Sequence, residues 1–346
     1  MKEESLKNRI NSNNVHENMM LYPPIPRKNF LIEVTNACNL ECIFCANRKM
    51  TRKRGFMSLE LANKILRDAY SAGVREVGFY LTGEPLLCKN LYKYVEAAKG
   101  VGFEYIYMTT NGVLATKENI EQLIESGLDS IKFSINAVNK DEYYLIHGKD
   151  YYDVVMNNLK EIYLYRKESG KKFKIYVSYI MTRYTQYDQQ TIKEHFGDWC
   201  DEIVVLNARN QGGYVPEIDG LLKTSLTNTI VADHATPCSQ IFSHISVTYE
   251  GYMTACCTDF QNYLVYGDLN KESIAEAWHN ETIVEFRRKH LEGNVAGTLC
   301  DNCIKSIKDK PLPLLSNCAI DFNEKDMFSE DAVKDRINNF LNTENK

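Results

Sequence analysis

The stretch "VTNACNLECIFCANRKM", residues 34 to 50, sets Cys38, Cys42 and Cys45 in a C-x3-C-x2-C array directly behind the strand-like run "FLIEV" (30 to 34). Thiols packed this closely in a large chain more often hold metal than pair as disulfides. A structural zinc site is usually closed by four ligands, so the loop would need a distant fourth partner, although zinc ribbons give similar spacing. An iron–sulfur cube has four irons, and three thiolates leave one of them open to a small chelating ligand.

The chain has 346 residues, 44% hydrophobic and 25% charged, enough for a sizeable core and more than one domain. Residues 1 to 20 carry charges and asparagines where a secretory signal would be apolar, and no later window reaches membrane-spanning length. A cytoplasmic protein without membrane association is expected. Eleven cysteines, an odd number without an export signal, argue against a disulfide framework. A net charge of −5 argues against a general nucleic-acid binder.

Runs rich in β-branched and aromatic residues recur at 30 to 34, 76 to 83, 105 to 112, 130 to 136, 174 to 182 and 202 to 209. Helical patterns lie between them. Ser58 caps one, with Leu61, Ile65 and Ala69 four apart and Gly73 as its stop; Thr116 caps another, with Ile120, Leu123, Ile124 and Gly127. Further crossovers fall near 90 to 99, 152 to 169 and 188 to 199. This alternation predicts α/β architecture with parallel strands, either a doubly wound sheet or a full or partial barrel, with chemistry at the carboxyl ends of the strands. After residue 210 the alternation stops in the turn-rich "NQGGYVPEIDG", and six of the eleven cysteines follow. One helix is expected over "SIAEAWHNETIVEFRRKHLEG".

With aromatic Phe44 just before the third cysteine, the loop resembles the signature of radical S-adenosylmethionine (radical SAM) enzymes. The resemblance implies a [4Fe–4S] cluster on Cys38, Cys42 and Cys45, S-adenosyl-L-methionine on the open iron, and Phe44 beside the adenine. "LTGEP" after the second strand resembles the family's Gly-Gly-Glu-Pro turn, with Thr82 in place of the first glycine and Gly83, Glu84 and Pro85 present. In the family this turn receives the methionyl amino group. Asn111, Ser134 and Asn136 fall where the family places ribose and carboxylate contacts, although polar residues often end strands for turn formation alone.

Cys238, twelve residues, Gly251, four residues, Cys256 and a later Cys300-x2-Cys303 resemble the SPASM or twitch extension of the same superfamily. A full SPASM domain has a further close cysteine pair; here Cys318 stands alone, which implies one auxiliary [4Fe–4S] cluster on Cys238, Cys256, Cys300 and Cys303. Cys257 is an alternative to Cys256, and a four-thiolate zinc knot is the metal-only alternative. Cys88 and Cys200 read as packed thiols. The resemblance implies a partial (βα)6 TIM-like barrel with a small C-terminal SPASM/twitch domain. The divisions are a 1–28 extension, a 29–212 barrel, a 213–236 linker, a 237–310 auxiliary domain and a 311–346 tail. The tail carries a short amphipathic pattern at Val333, Ile337 and Leu341.

In that family a reduced cluster cleaves the sulfonium to methionine and a 5′-deoxyadenosyl radical, which takes hydrogen from an unactivated C–H bond. Loss of a hydroxyl proton and an electron to the auxiliary cluster would then oxidise an alcohol to a ketone, as in the twitch-bearing aminocyclitol dehydrogenases that this pattern is similar to. The expected substrate is a sugar or aminocyclitol. Asp259 and Glu250, near the auxiliary loop, read as solvated, so no base is nominated. Epimerisation is a rival, with Cys318 or Cys257 returning hydrogen. Peptide maturation is another, for which the segment before the first strand is expected to be short. The third is a non-catalytic metal scaffold. The run Arg48, Lys49, Arg52, Lys53 and Arg54 reads as a solvated loop, as a docking patch for a flavodoxin or ferredoxin-type electron donor, or as a hold for a phosphorylated or nucleotide-linked substrate.

Overall fold

The computed structural model describes residues 19–185, 187–208, 210–215, 237–305, 307, 309–321 and 330–344. Residues 1–18 of the expected extension, 216–236 of the linker, 322–329 of the tail, Arg209 and the Leu341 side chain lie outside the described residues.

Six strands and the helical crossovers that join them come first. They are β1 (Phe30–Ile32), α1 (Leu59–Ser71), β2 (Glu76–Phe79), α2 (Leu91–Val101), β3 (Tyr105–Thr110), α3 (Lys117–Glu125), β4 (Ser130–Ser134), α4 (Lys140–His147), α5 (Tyr152–Ser169), β5 (Lys174–Met181), α6 (Gln189–Phe196) and β6 (Glu202–Asn207). There follow α7 (Gln240–Ser243), β7 (Ile245–Val247), β8 (Tyr252–Thr254), β9 (Val265–Asp268), α8 (Ile274–Trp278), α9 (Glu281–Leu291), α10 (Leu299–Lys305) and α11 (Glu330–Glu344).

The starts of the helices are local. Ser58, Thr116, Asn139 and Asp188 each accept a backbone N–H three residues on, at 2.7 to 3.3 Å. α1 buries Ala62, Ile65, Leu66 and Ala69, and α3 buries Ile120, Leu123 and Ile124. The single helix expected from residue 273 is two. Ser273 and Glu276 form a capping box on α8, and Asn280, in extended conformation, caps α9 anew.

The described strands form one nine-stranded sheet in the order β6-β5-β4-β3-β2-β1-β7-β8-β9. Neighbours from β6 through β7 are parallel, which is the partial barrel; β8 and β9 are antiparallel. The regular alternation of strand and helix does stop after residue 210, yet the sheet does not. β7 pairs with β1 in parallel, Phe30 opposite Ile245 and Ile32 opposite Val247, so β1 is bonded on both sides.

The basic run after the cysteine loop is not a solvated loop. Arg48, Lys49 and Arg52 are buried, and only Lys53 and Arg54 are exposed. Arg52 Nη2 lies 2.8 Å from Glu33, wholly buried just past β1, and 2.6 Å from Glu250 in the β7–β8 turn. Glu33 also accepts the Tyr249 N–H at 3.0 Å and the Thr82 hydroxyl. Glu250 is therefore ion-paired rather than solvated. Removing one member of such a buried group strands the others, so Arg52→Met is expected to lower stability by about 3–5 kcal/mol. Exposed Lys53→Met should change it by less than about 0.5 kcal/mol. Thermal unfolding of the reconstituted variants checks both.

Candidate functional site

The cysteine loop leaves the carboxyl end of β1 and is fixed by polar contacts from several elements. Asn36 accepts Gly55 N–H through Oδ1 at 2.9 Å and donates through Nδ2 to Lys53 O at 2.9 Å. Asn47 Nδ2 donates to Asn36 O at 2.9 Å and Thr82 O at 2.6 Å. Arg54 donates to Asn36 O at 2.7 Å and Asn47 O at 2.8 Å. The backbone N–H groups of Glu41 and Ile43 bond to the carbonyls of His147 and Ile146 at the end of α4.

The three thiols sit together in an environment hostile to uncompensated negative charge. Burial, then Glu84, pushes Cys38 up to about 12; burial, then the other two thiols, pushes Cys42 well up; burial also raises Cys45. Thiolates in this partly buried setting would need a cationic centre to compensate them. His147 Nε2 donates to Ile135 O at 2.6 Å, which leaves Nδ1 facing Cys42 Sγ at 3.1 Å; burial holds this imidazole down to about 4. Arg336 of α11 donates to Glu41 O at 3.0 Å, and its charge acts on Cys42.

Gly83 lies against this loop. A β-carbon there would stand 2.3 Å from Thr35 O and 2.6 Å from Ala37 O, so only glycine fits. Glu84 donates its N–H to Ala37 O at 2.8 Å. Its carboxylate accepts Thr110 Oγ1 at 2.7 Å, Asn111 N at 2.7 Å and Leu86 N at 3.0 Å, capping the turn that Pro85 begins. Burial outweighs these donors and lifts Glu84 to about 7. Asn111 Nδ2 donates to Asn39 at 2.7 Å and lies 4.0 Å from Cys38 Sγ. Asn136, at φ 60°, accepts Ile180 N–H at 2.8 Å and donates to Ser134 at 3.1 Å. All of these groups lie at the carboxyl ends of β1 to β4.

A cavity of about 620 Å³ runs from Phe44 to the second cysteine set, touching Cys238, Cys256, Cys257, Cys300 and Cys303. After burial, Cys300 is pushed up by Cys256, Cys238 and Cys303, in that order. Cys256, hydrogen-bonded to Cys257 and Thr258, is held down to about 7. Cys318 is buried elsewhere, under the influence of Asp268 and Lys271. Asp259 is buried, not solvated: it accepts Thr254 Oγ1, Leu264 N and Tyr263 N at 2.8 to 2.9 Å and shapes the β8–β9 turn. Four tyrosines, Tyr80, Tyr105, Tyr107 and Tyr176, and two lysines, Lys28 and Lys132, also line the cavity. His147, Arg336 and Lys132 were not legible as site residues. Asn139-x-x-Glu142, a helix-start pattern, was the one local signal available, for the helix that ends at His147.

Residues 32–185 match the family model of the radical SAM superfamily, and residues 238–304 match that of the SPASM iron–sulfur cluster-binding domain. The chain is a radical SAM protein with a C-terminal SPASM domain. That class uses a [4Fe–4S] cluster with S-adenosylmethionine and an auxiliary iron–sulfur centre. The S-adenosyl-L-methionine-dependent 2-deoxy-scyllo-inosamine dehydrogenase of Niallia circulans is 25% identical over 280 residues, covering 79% of this chain and 90% of that one. A probable GTP 3′,8-cyclase of Methanococcus vannielii is 26% identical over 282 residues, covering 71% and 91%. An uncharacterized protein of Methanocaldococcus jannaschii is 36% identical over 137 residues, which span 39% of this chain and 43% of that relative. The fold is similar to that of BtrN solved with AdoMet and 2-DOIA, at TM-score 0.52 and 19% identity over 83% of this chain and 96% of that one. No helix among the described residues is long and apolar enough to cross a membrane.

Gly83→Ala forces the turn away from the cysteine loop. Binding of S-adenosylmethionine to the reconstituted protein, followed by equilibrium dialysis, is expected to weaken by at least about tenfold, while Gly100→Ala, which meets nothing within 4 Å, leaves it unchanged.

Proposed function

We propose that the chain is a radical SAM oxidoreductase that converts a carbinol of a small hydroxylated substrate to a carbonyl. In this reading Cys38, Cys42 and Cys45 hold the first cluster, and Cys238, Cys256, Cys300 and Cys303 hold one auxiliary [4Fe–4S] cluster of the twitch type. Gly83, Glu84, Pro85, Asn111, Ser134 and Asn136 cradle S-adenosylmethionine, with Phe44 against its adenine. The bound cofactors supply a 5′-deoxyadenosyl radical and an acceptor for one electron.

The observation that carries the reading is that one cavity touches both Phe44 and all four auxiliary cysteines. The chain's own part is containment. Leu31, Met108, Ile180 and Leu264 line the space and exclude water from a reactive centre. In this reading the substrate, held in that cavity, loses one hydrogen atom, one proton and one electron, the electron going to the centre that the lining thiols would hold. The similarity, over 79% of this chain, to a 2-deoxy-scyllo-inosamine dehydrogenase supports the same chemistry. Asp259 is engaged by three donors and does not line the cavity, so the proton acceptor is another group or water. The exposed Lys53 and Arg54, beside the cysteine loop, suit an acidic flavodoxin or ferredoxin donor.

A second reading, epimerisation, draws on Cys257: it lines the cavity and is placed to return hydrogen, whereas Cys318 is not among its lining residues. The two differ in mass. Anaerobically reconstituted protein with S-adenosylmethionine, dithionite and a panel of sugars and cyclitols is expected to give a product two hydrogens lighter, with no deuterium gained in heavy water. One deuteron gained at unchanged composition would establish epimerisation instead. Cys300→Ala is expected to keep forming 5′-deoxyadenosine while product falls at least about tenfold; Cys318→Ala should leave both intact.

A further inference from the structure

We propose that Lys132 receives a carboxylate on the substrate, so that the molecule oxidised in this cavity is a hydroxylated acid of the sugar-acid type and not an amine-bearing cyclitol. The inference rests on the oxidoreductase reading of the same cavity and names the substrate class.

Lys132 lies on β4 with Thr109 of β3 and Tyr176 of β5 as its register neighbours, and all three line the cavity. Its ammonium stands 5.6 Å from the centre of the Tyr80 ring. Among the described residues it has neither an ion pair nor a hydrogen bond, in contrast to the other charged groups of the wall. Lys28 and Glu76, at the amino ends of β1 and β2, lie 3.9 Å apart and compensate each other. Of the thiols, Cys257 is the one whose charge acts on Lys132, and it offsets only part of the burial that holds the amine down to about 8. Lys132 is therefore a positive charge on the cavity wall with no protein ion pair or hydrogen bond among the described residues, ringed by tyrosines.

Charge counting selects the ligand. A desolvated ammonium is costly alone and favourable beside an anion. One carboxylate balances it, with tyrosine hydroxyls as neutral donors to the remaining lone pairs. A phosphate ester would leave a second negative charge without a partner, and an ammonium-bearing cyclitol would meet like charge.

The test is a binding panel that needs no turnover. Reconstituted protein with S-adenosylmethionine and no reductant is titrated calorimetrically with D-glucuronate, D-gluconate and quinate, and with D-glucose, D-glucose 6-phosphate and D-glucosamine. At least one of the three acids is expected to bind about tenfold or more tighter than every non-acid. Lys132→Met should abolish that preference and Lys132→Arg should retain it; bound iron and the far-UV spectrum report that both variants are folded. Preference for the phosphate or the amine, no binding by any acid, or preference unchanged in Lys132→Met each overturns the proposal. So does an effect of Lys132→Met confined to the auxiliary cluster's reduction potential, which would make Lys132 a counter-charge to that cluster. An acid that binds through Lys132 but gives no product two hydrogens lighter would instead count against the oxidoreductase reading alone.

Discussion

A guanidinium sealed between two carboxylates holds the two parts of this protein in one register. Arg52 follows the cysteine loop, Glu33 ends the first strand and Glu250 sits in the turn between β7 and β8, so one buried group joins three segments remote in sequence. Such a group adds little net stability over apolar packing, but it tolerates few alternative arrangements. Thr82, standing where the resembled family has glycine, gives its hydroxyl to the same Glu33, which brings the turn after β2 into the group. The loop of thiols, the Gly83-Glu84 turn and the first hairpin of the auxiliary region thus share one electrostatic anchor.

Around that anchor, tight backbone approach and directed hydrogen bonds do different work. Gly83 lets the turn touch the carbonyls of Thr35 and Ala37, while the Glu84 carboxylate gathers the starts of two neighbouring turns. His147 and Arg336 reach the cysteine loop from outside the sheet, one through a ring nitrogen near Cys42 and the other through the Glu41 carbonyl. Contacts from groups other than the thiols thus help to fix the path of the loop.

Much of this was legible wherever the determinant was local. Cysteine spacing, the caps at Ser58 and Thr116 and the β/α alternation each depend on a few adjacent residues, and each was readable. Strands of three and four residues, such as β7 to β9, carry too little pattern to stand out, and the pairing of β7 with β1 is made across more than two hundred residues. Burial of Arg48, Lys49 and Arg52 ran against composition, because a run of five cations reads as surface until its distant carboxylates are known. Asp259 looked solvated for the same reason: its three partners belong to a turn that only the fold creates. The split between α8 and α9 was local and was still missed, since Asn280 as a cap competes with an apolar periodicity that runs straight through it.

Because β1 is hydrogen-bonded to β2 on one edge and β7 on the other, both sets of thiols are mounted on a shared backbone frame. The spacing of the loops that leave these strands follows their register, while the side chains that line the cavity project from neighbouring strands. The wall of the chamber can be rebuilt for a different molecule without altering that spacing, which separates the choice of ligand from the placement of the thiols.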